Sequence, residues 1–121
     1  MAEHNLLGKT GEDLAVDLLQ SKGYEILARN WHSGHKELDI VARNRNWLVI
    51  AEVKTRSSED YLEPWQAVTP QKIRRIVQAA HHYVRQTGTD LPVRFDIISV
   101  LRQGEGFRTE HIEDAYPPPL T

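Results

Sequence analysis

Residues 36–56 read KELDIVARNRNWLVIAEVKTR, two apolar segments on either side of a short polar one. Trp47-Leu48-Val49-Ile50-Ala51 is apolar at every position, so the alternation of a half-solvated strand is absent. A strand of this kind is covered on both faces, as in the interior of an α/β sheet. Asn44-Arg45-Asn46 reads as a tight turn, because asparagine tolerates left-handed backbone and bonds its own main chain. Pairing about that turn lays 36–43 beside 47–54. Side chains two apart on a strand share a face, which joins Glu52 to Lys54 and Glu37 to Asp39. Asp39 then lies opposite Glu52 or its neighbour. A bulge or a one-residue slip there turns those side chains to another face, and both registers stand at this stage. In the first register, two or three carboxylates and one lysine converge at one end of a hairpin. Buried charges need partners or a bound ion, so this register describes a divalent-metal site with a cationic helper.

The rest of the chain sets the bounds. With 121 residues, 40% hydrophobic and 26% charged, a single domain over 1–121 with an adequate core is expected. There is no cysteine, which removes disulfides and thiolate metal sites from consideration. No apolar run reaches membrane-spanning length and the first residues lack a signal-peptide pattern, so a cytoplasmic protein with no membrane partner is expected. The net charge of −2 argues against a simple basic nucleic-acid-binding module. It leaves room for a nuclease, whose bound cations restore positive charge where phosphate sits. No G-x-x-x-x-G-K-[ST] loop is present, which disfavours chemistry on nucleoside triphosphates.

Along the chain, a first helix is expected from Thr10, or a few residues earlier, to Lys22. Thr10 and Asp13 resemble a capping box, and Gly23 suits the C′ position. Glu12 would then lie in the first turn, where the helix dipole favours a carboxylate. Residues 24–29 read as a strand and 31–35 as a turn carrying the solvent-facing His32 and His35. The irregular segment 55–69 holds Tyr61 and Trp65, either core anchors or platforms for an unpaired base. Thr69-Pro70 opens a second helix as N-cap and N1, and Gly88 stops it after an apolar stripe of Ile73, Ile76, Val77, Ala80 and Val84. Lys72, Arg74 and Arg75 load its first turns with positive charge, against the dipole, so another partner is expected for them, and phosphate is a suitable one. Residues 92–101 and 107–112 read as two further strands. Asp96 interrupts the first of them, as a paired core carboxylate in the first reading or as a group supporting the metal site in the second. The proline-rich tail, 116–121, is expected on the surface. The architecture is α/β, a central mixed sheet flanked by helices in the order α-β-β-β-α-β-β.

The same residues carry a family resemblance. Asp39 followed thirteen residues later by Glu52-Val53-Lys54 resembles the D…(D/E)-x-K signature of restriction-endonuclease-like nucleases. A wider series, Gly11-Glu12…Ala15, Gly23-Tyr24, Arg29-Asn30, Glu37-Leu38-Asp39-Ile40, Glu52-Val53-Lys54-Thr55-Arg56, Lys72 and Arg94-Phe95-Asp96, resembles the uncharacterised bacterial YraN family over nearly the whole chain. That family is similar to archaeal Holliday-junction resolvases. The departure is Lys36, where the family usually shows glycine before Glu37.

The resemblance implies a restriction-endonuclease-like fold and metal-dependent hydrolysis of DNA phosphodiesters, including branched, junction-like DNA. It implies Asp39 and Glu52 as ligands of Mg²⁺ (or Mn²⁺), with Glu12 completing or extending the site, and Lys54 orienting water or offsetting phosphate charge. Arg56, Lys72 and Arg75 are the expected DNA-backbone contacts. The partner is DNA read by structure rather than sequence, and cutting a two-fold symmetric junction would require a homodimer. The alternative expectation is a catalytically silent nucleic-acid-binding or scaffold protein with the nuclease fold.

Overall fold

The fold was obtained as a computed structural model that describes the backbone of residues 2–57 and 68–116, with side chains from residue 11 onward. Helix α1 (Ala2–Ser21) leads into strands β1 (Glu25–Ser33), β2 (Lys36–Arg43) and β3 (Leu48–Ser57), then α2 (Pro70–Thr87), β4 (Val93–Gln103) and β5 (Gly106–Ile112). The five strands form one sheet in chain order. All neighbouring pairs are antiparallel except β3 and β4, which run parallel. The parallel pair requires a crossover, and α2 supplies it. The expected order and the mixed sheet are therefore both present.

The all-apolar segment of β3 is covered on both faces. Leu48 and Ile50 pack with Ile76, Val77, Ala80 and Tyr83 of α2. Val49 and Ala51 pack with Ala15, Val16 and Leu19 of α1. These four β3 residues are at most 2% exposed, and burial of that order stabilises by about 1.5–3 kcal/mol for each large aliphatic side chain. The turn forms as its asparagines dictate: Asn44 Oδ1 accepts from the backbone N–H groups of Asn46 and Trp47.

Helix α2 has the expected caps. The Thr69 side chain accepts from Lys72 N, Pro70 follows at the first helical position, and Gly88 adopts φ 68° to close the C-terminus. Gly23 closes α1 in the same left-handed region, at φ 90°.

Four expectations are corrected. Helix α1 begins at Ala2, so Thr10 lies inside it and Glu12 is too far along for the dipole of the first turn to act on it. Strand β1 extends through Trp31, His32 and Ser33, because Trp31 packs edge-on against Tyr83 at 5.3 Å and pairs with Leu38; the turn is only Gly34-His35. Residues 55–57, expected to be irregular, continue β3 alongside β4. Tyr116, assigned to the surface tail, is buried and stacks on Phe95 at 5.7 Å. Residues 117–121 and the loop aromatics Tyr61 and Trp65 lie outside the described residues. No helix among the described residues is long and apolar enough to cross a membrane.

Candidate functional site

The β2–β3 ladder settles the register left open by the sequence. Val41 pairs with Ile50 and Ile40 with Ala51, and one further step sets Asp39 opposite Glu52. There the backbone pairing gives way to a side chain, as Val53 N donates to Asp39 Oδ2 at 2.9 Å. Strand alternation carries Leu48, Ile50, Glu52 and Lys54 along one face, the face beneath α2. Val49, Ala51 and Thr55 take the face beneath α1.

Helix α2 contributes a fourth group. Its N-cap holds the first turn in place, and Lys72 in that turn reaches down so that Nζ lies 2.6 Å from Glu52 Oε1. Lys54 Nζ approaches the same oxygen at 3.6 Å. Glu52 is only 6% exposed, and these ammoniums are the charge partners a buried carboxylate needs. The close approach also accounts for the cationic first turn of α2: Lys72 has a carboxylate partner that outweighs the helix dipole.

The protonation equilibria follow from this geometry. Burial and then the Glu52 charge, against the opposing Val53 N–H and Lys72, together raise the Asp39 carboxyl to about 7. Lys54 is lowered, first by burial and then by the neighbouring Lys72. Burial also acts to lower Lys72, but its bonds to Glu52 and Lys54 prevail and its value rises. The phenol of Tyr116 is pushed up by burial, then by the charges of Glu52, Asp96 and Asp39. Its hydroxyl is buried with no hydrogen-bond partner among the described residues. Two hard carboxylate oxygen donors on one face, one of them reluctant to ionise beside the other, form a donor set that suits Mg²⁺ or Mn²⁺.

The other sequence-derived residues are placed as follows. Glu12 does not share this cluster: its Oε1 accepts from Arg29 Nε at 2.9 Å and from Asn30 Nδ2 at 3.0 Å. Asn30 takes a left-handed φ of 51° to make that contact, a conformation asparagine tolerates. Arg29 also binds Asp13 at 2.7 Å. Glu37 is exposed with His32 at 3.3 Å. Arg56 sits on the last turn of β3 opposite Leu101, and Arg75 is exposed on α2. Among the described residues, no group of three or more His, Asp and Glu side chains is arranged to hold a metal. A site built from the described residues would take the two carboxylates of Asp39 and Glu52 and leave other positions to water or substrate oxygens, as Mg²⁺ commonly does.

Asp96 is a paired core carboxylate, as expected. It is fully buried, and accepts from Arg94 through both oxygens at 2.9 and 2.8 Å, from His111 Nε2 at 2.7 Å and from Asp114 N at 3.0 Å. Burial pushes its carboxyl up, but those bonds outweigh it and hold the value low. Arg94 also donates to the Tyr24 hydroxyl at 2.6 Å and lies over the rings of Tyr24 and Trp47. The network stands on the α1 face, opposite the Asp39–Glu52 pair. What sequence reading missed was the joining of Lys72 to Glu52. The signal for it was the unfavourable lysine in the first turn of α2.

The family model described as "Uncharacterised protein family UPF0102" matches residues 11–100. A UPF0102 protein of Bacteroides fragilis is 58% identical over 120 residues, 99% of each chain. Another, of Flavobacterium psychrophilum, is 53% identical over 116 residues, covering 96% of this chain and 98% of its own. A third, of Porphyromonas gingivalis, is 50% identical over 119 residues, covering 97% and 88%.

Proposed function

The chain belongs to the UPF0102 (YraN) family, and we propose that it is a metal-dependent endonuclease hydrolysing DNA phosphodiester bonds, with branched, junction-like DNA as the preferred substrate. The observation that carries this reading is the convergence of Asp39, Glu52, Lys54 and Lys72 under the first turn of α2. Carboxylate pairs with adjacent ammoniums suit phosphoryl chemistry, since one half of the set holds a cation and the other meets phosphate charge.

Asp39 and Glu52 would hold Mg²⁺ or Mn²⁺. A cation held there would supply Lewis-acid polarisation of a phosphoryl oxygen and a lowered pKa for the attacking water. Lys54, two residues from Glu52 on the same face, orients that water and offsets charge growing on the phosphate. Arg56, two residues beyond Lys54 on β3, and Arg75, exposed one turn after Lys72 on α2, would contact backbone phosphates. Glu12, expected from the resemblance to extend the site, is held by Arg29 and Asn30, so the proposal rests on Asp39 and Glu52.

The test is incubation of labelled duplex, single-stranded, flap and four-way-junction DNA with Mg²⁺ or Mn²⁺. Wild type should cut the junction, while Glu52→Gln and Lys54→Ala should lose at least about a hundredfold in rate, the usual scale for removing a group that stabilises transition-state charge. Salt-sensitive DNA binding without cutting in any of these would instead identify a silent DNA-binding member of the family.

A further inference from the structure

We infer that Lys72 is a displaceable counter-ion: in the metal-free protein its ammonium competes with a divalent cation for Glu52, and once displaced it serves as a phosphate ligand. The inference rests on the proposed metal site but goes beyond it, because it gives one residue opposing effects on metal binding and on turnover.

The geometry points this way. Glu52 Oε1 receives two ammoniums, Lys72 at 2.6 Å and Lys54 at 3.6 Å. With Asp39 ionised, two carboxylates face two ammoniums and the cluster is neutral. Adding a divalent cation while both lysines stay in place leaves a local charge of about +2 in a half-buried site, which Coulomb repulsion opposes strongly. One ammonium must withdraw. Lys54 is the more distant of the two, 3.6 Å from Glu52 Oε1 and with its side chain 24% exposed, whereas Lys72 occupies that oxygen directly at 2.6 Å. Lys72 comes from a different element on a flexible four-carbon stem, and its side chain is 39% exposed. It can therefore leave Glu52 by rotamer change alone. The direction in which it leaves is open to solvent, where the phosphate backbone of a bound strand would lie. Thr69, whose side chain accepts from Lys72 N at 3.2 Å, keeps the main chain of Lys72 fixed while the side chain moves.

A purely structural ion pair docking α2 onto β3 predicts something different. Its loss would loosen α2 and leave metal affinity unchanged or weaker. The test is titration calorimetry of Mn²⁺ into wild type, Lys72→Met, Lys72→Arg and Asp39→Asn, with Arg85→Met as an equal charge change at the far end of α2. Lys72→Met should bind Mn²⁺ roughly tenfold more tightly, since a like charge close to the ion is removed. Lys72→Arg and Arg85→Met should match wild type. On the preferred DNA substrate, Lys72→Met should nonetheless cut at least about tenfold more slowly at saturating metal, having lost a phosphate ligand. If Lys72→Met binds Mn²⁺ no more tightly than wild type while Asp39→Asn abolishes binding, the metal site stands and the displacement is overturned. If neither wild type nor Lys72→Met binds Mn²⁺, both the site and the inference fall.

Discussion

At the scale of single residues, Asp39 carries the pH dependence. Its carboxyl titrates at about 7 in the fold against 3.8 in a free chain. Between those values the folded protein holds a proton that the unfolded chain has released. The stability this group contributes is therefore complete below the unfolded value and is lost as pH rises through the folded one. In the absence of metal, urea midpoints should fall from about pH 4 to about pH 7, and Asp39→Asn, neutral throughout, should flatten that decline. Metal reverses the sign. Mn²⁺ requires the ionised carboxylate, so its affinity should rise over the same window with release of a proton, measurable as a buffer-dependent heat. Asp96 behaves as a structural carboxylate. Asp96→Asn takes from Arg94 its buried charge partner, leaving only the longer, exposed contact to Glu113 at 3.5 Å, and should cost roughly 3–5 kcal/mol in denaturant-derived stability.

At the scale of elements, the contact between α1 and β3 depends on Gly11. A Cβ there would collide with Thr55 Oγ1 and press on the Thr55 Cβ and Cγ2 at 3.2 Å. Gly11→Ala should destabilise by about 1–3 kcal/mol, and pairing it with Thr55→Ala, which removes both Oγ1 and the methyl, should recover part of that loss by chemical denaturation. The same elements show what could be read in advance. The second helix was legible to the residue because its signals are local: Thr69 and Pro70 start it and Gly88 stops it. The β2–β3 hairpin was legible in its strands but not in its register, since a one-residue slip leaves the sequence pattern intact and only the Asn44 turn geometry decides between the two. The true start of α1 was hidden because Thr10 and Asp13 mimic a cap within a longer helix. Glu12 could be noticed, but its bonds to Arg29 and Asn30 depend on how β1 crosses α1, which no local pattern records. Tyr116 was hidden for a similar reason. Its burial depends on Asp114 N binding Asp96 and Ala115 N binding the Phe95 carbonyl, contacts that span nearly twenty residues.

At the scale of the whole molecule, the sheet gathers its charge chemistry at one place on the α2 face, while the Arg94–Asp96–His111 network on the other face ties down β5 and the segment after it. A chain with net charge −2 can bind DNA only through a local positive surface. Affinity for junction DNA should accordingly fall steeply with salt, at a slope near the number of phosphates contacted. Lys72→Met and Arg75→Met should each reduce that slope by about one.

The central claim is that Asp39 and Glu52 together hold a divalent cation. Fe²⁺ substituted for Mg²⁺, with ascorbate and peroxide, generates hydroxyl radicals that cut the protein backbone next to the bound ion. The account predicts scission confined to β2 around residue 39, β3 around residues 52–54 and the first turn of α2 around residue 72, suppressed by excess Mg²⁺ and absent in Asp39→Asn. Scission elsewhere, or the same pattern in Asp39→Asn, would contradict it.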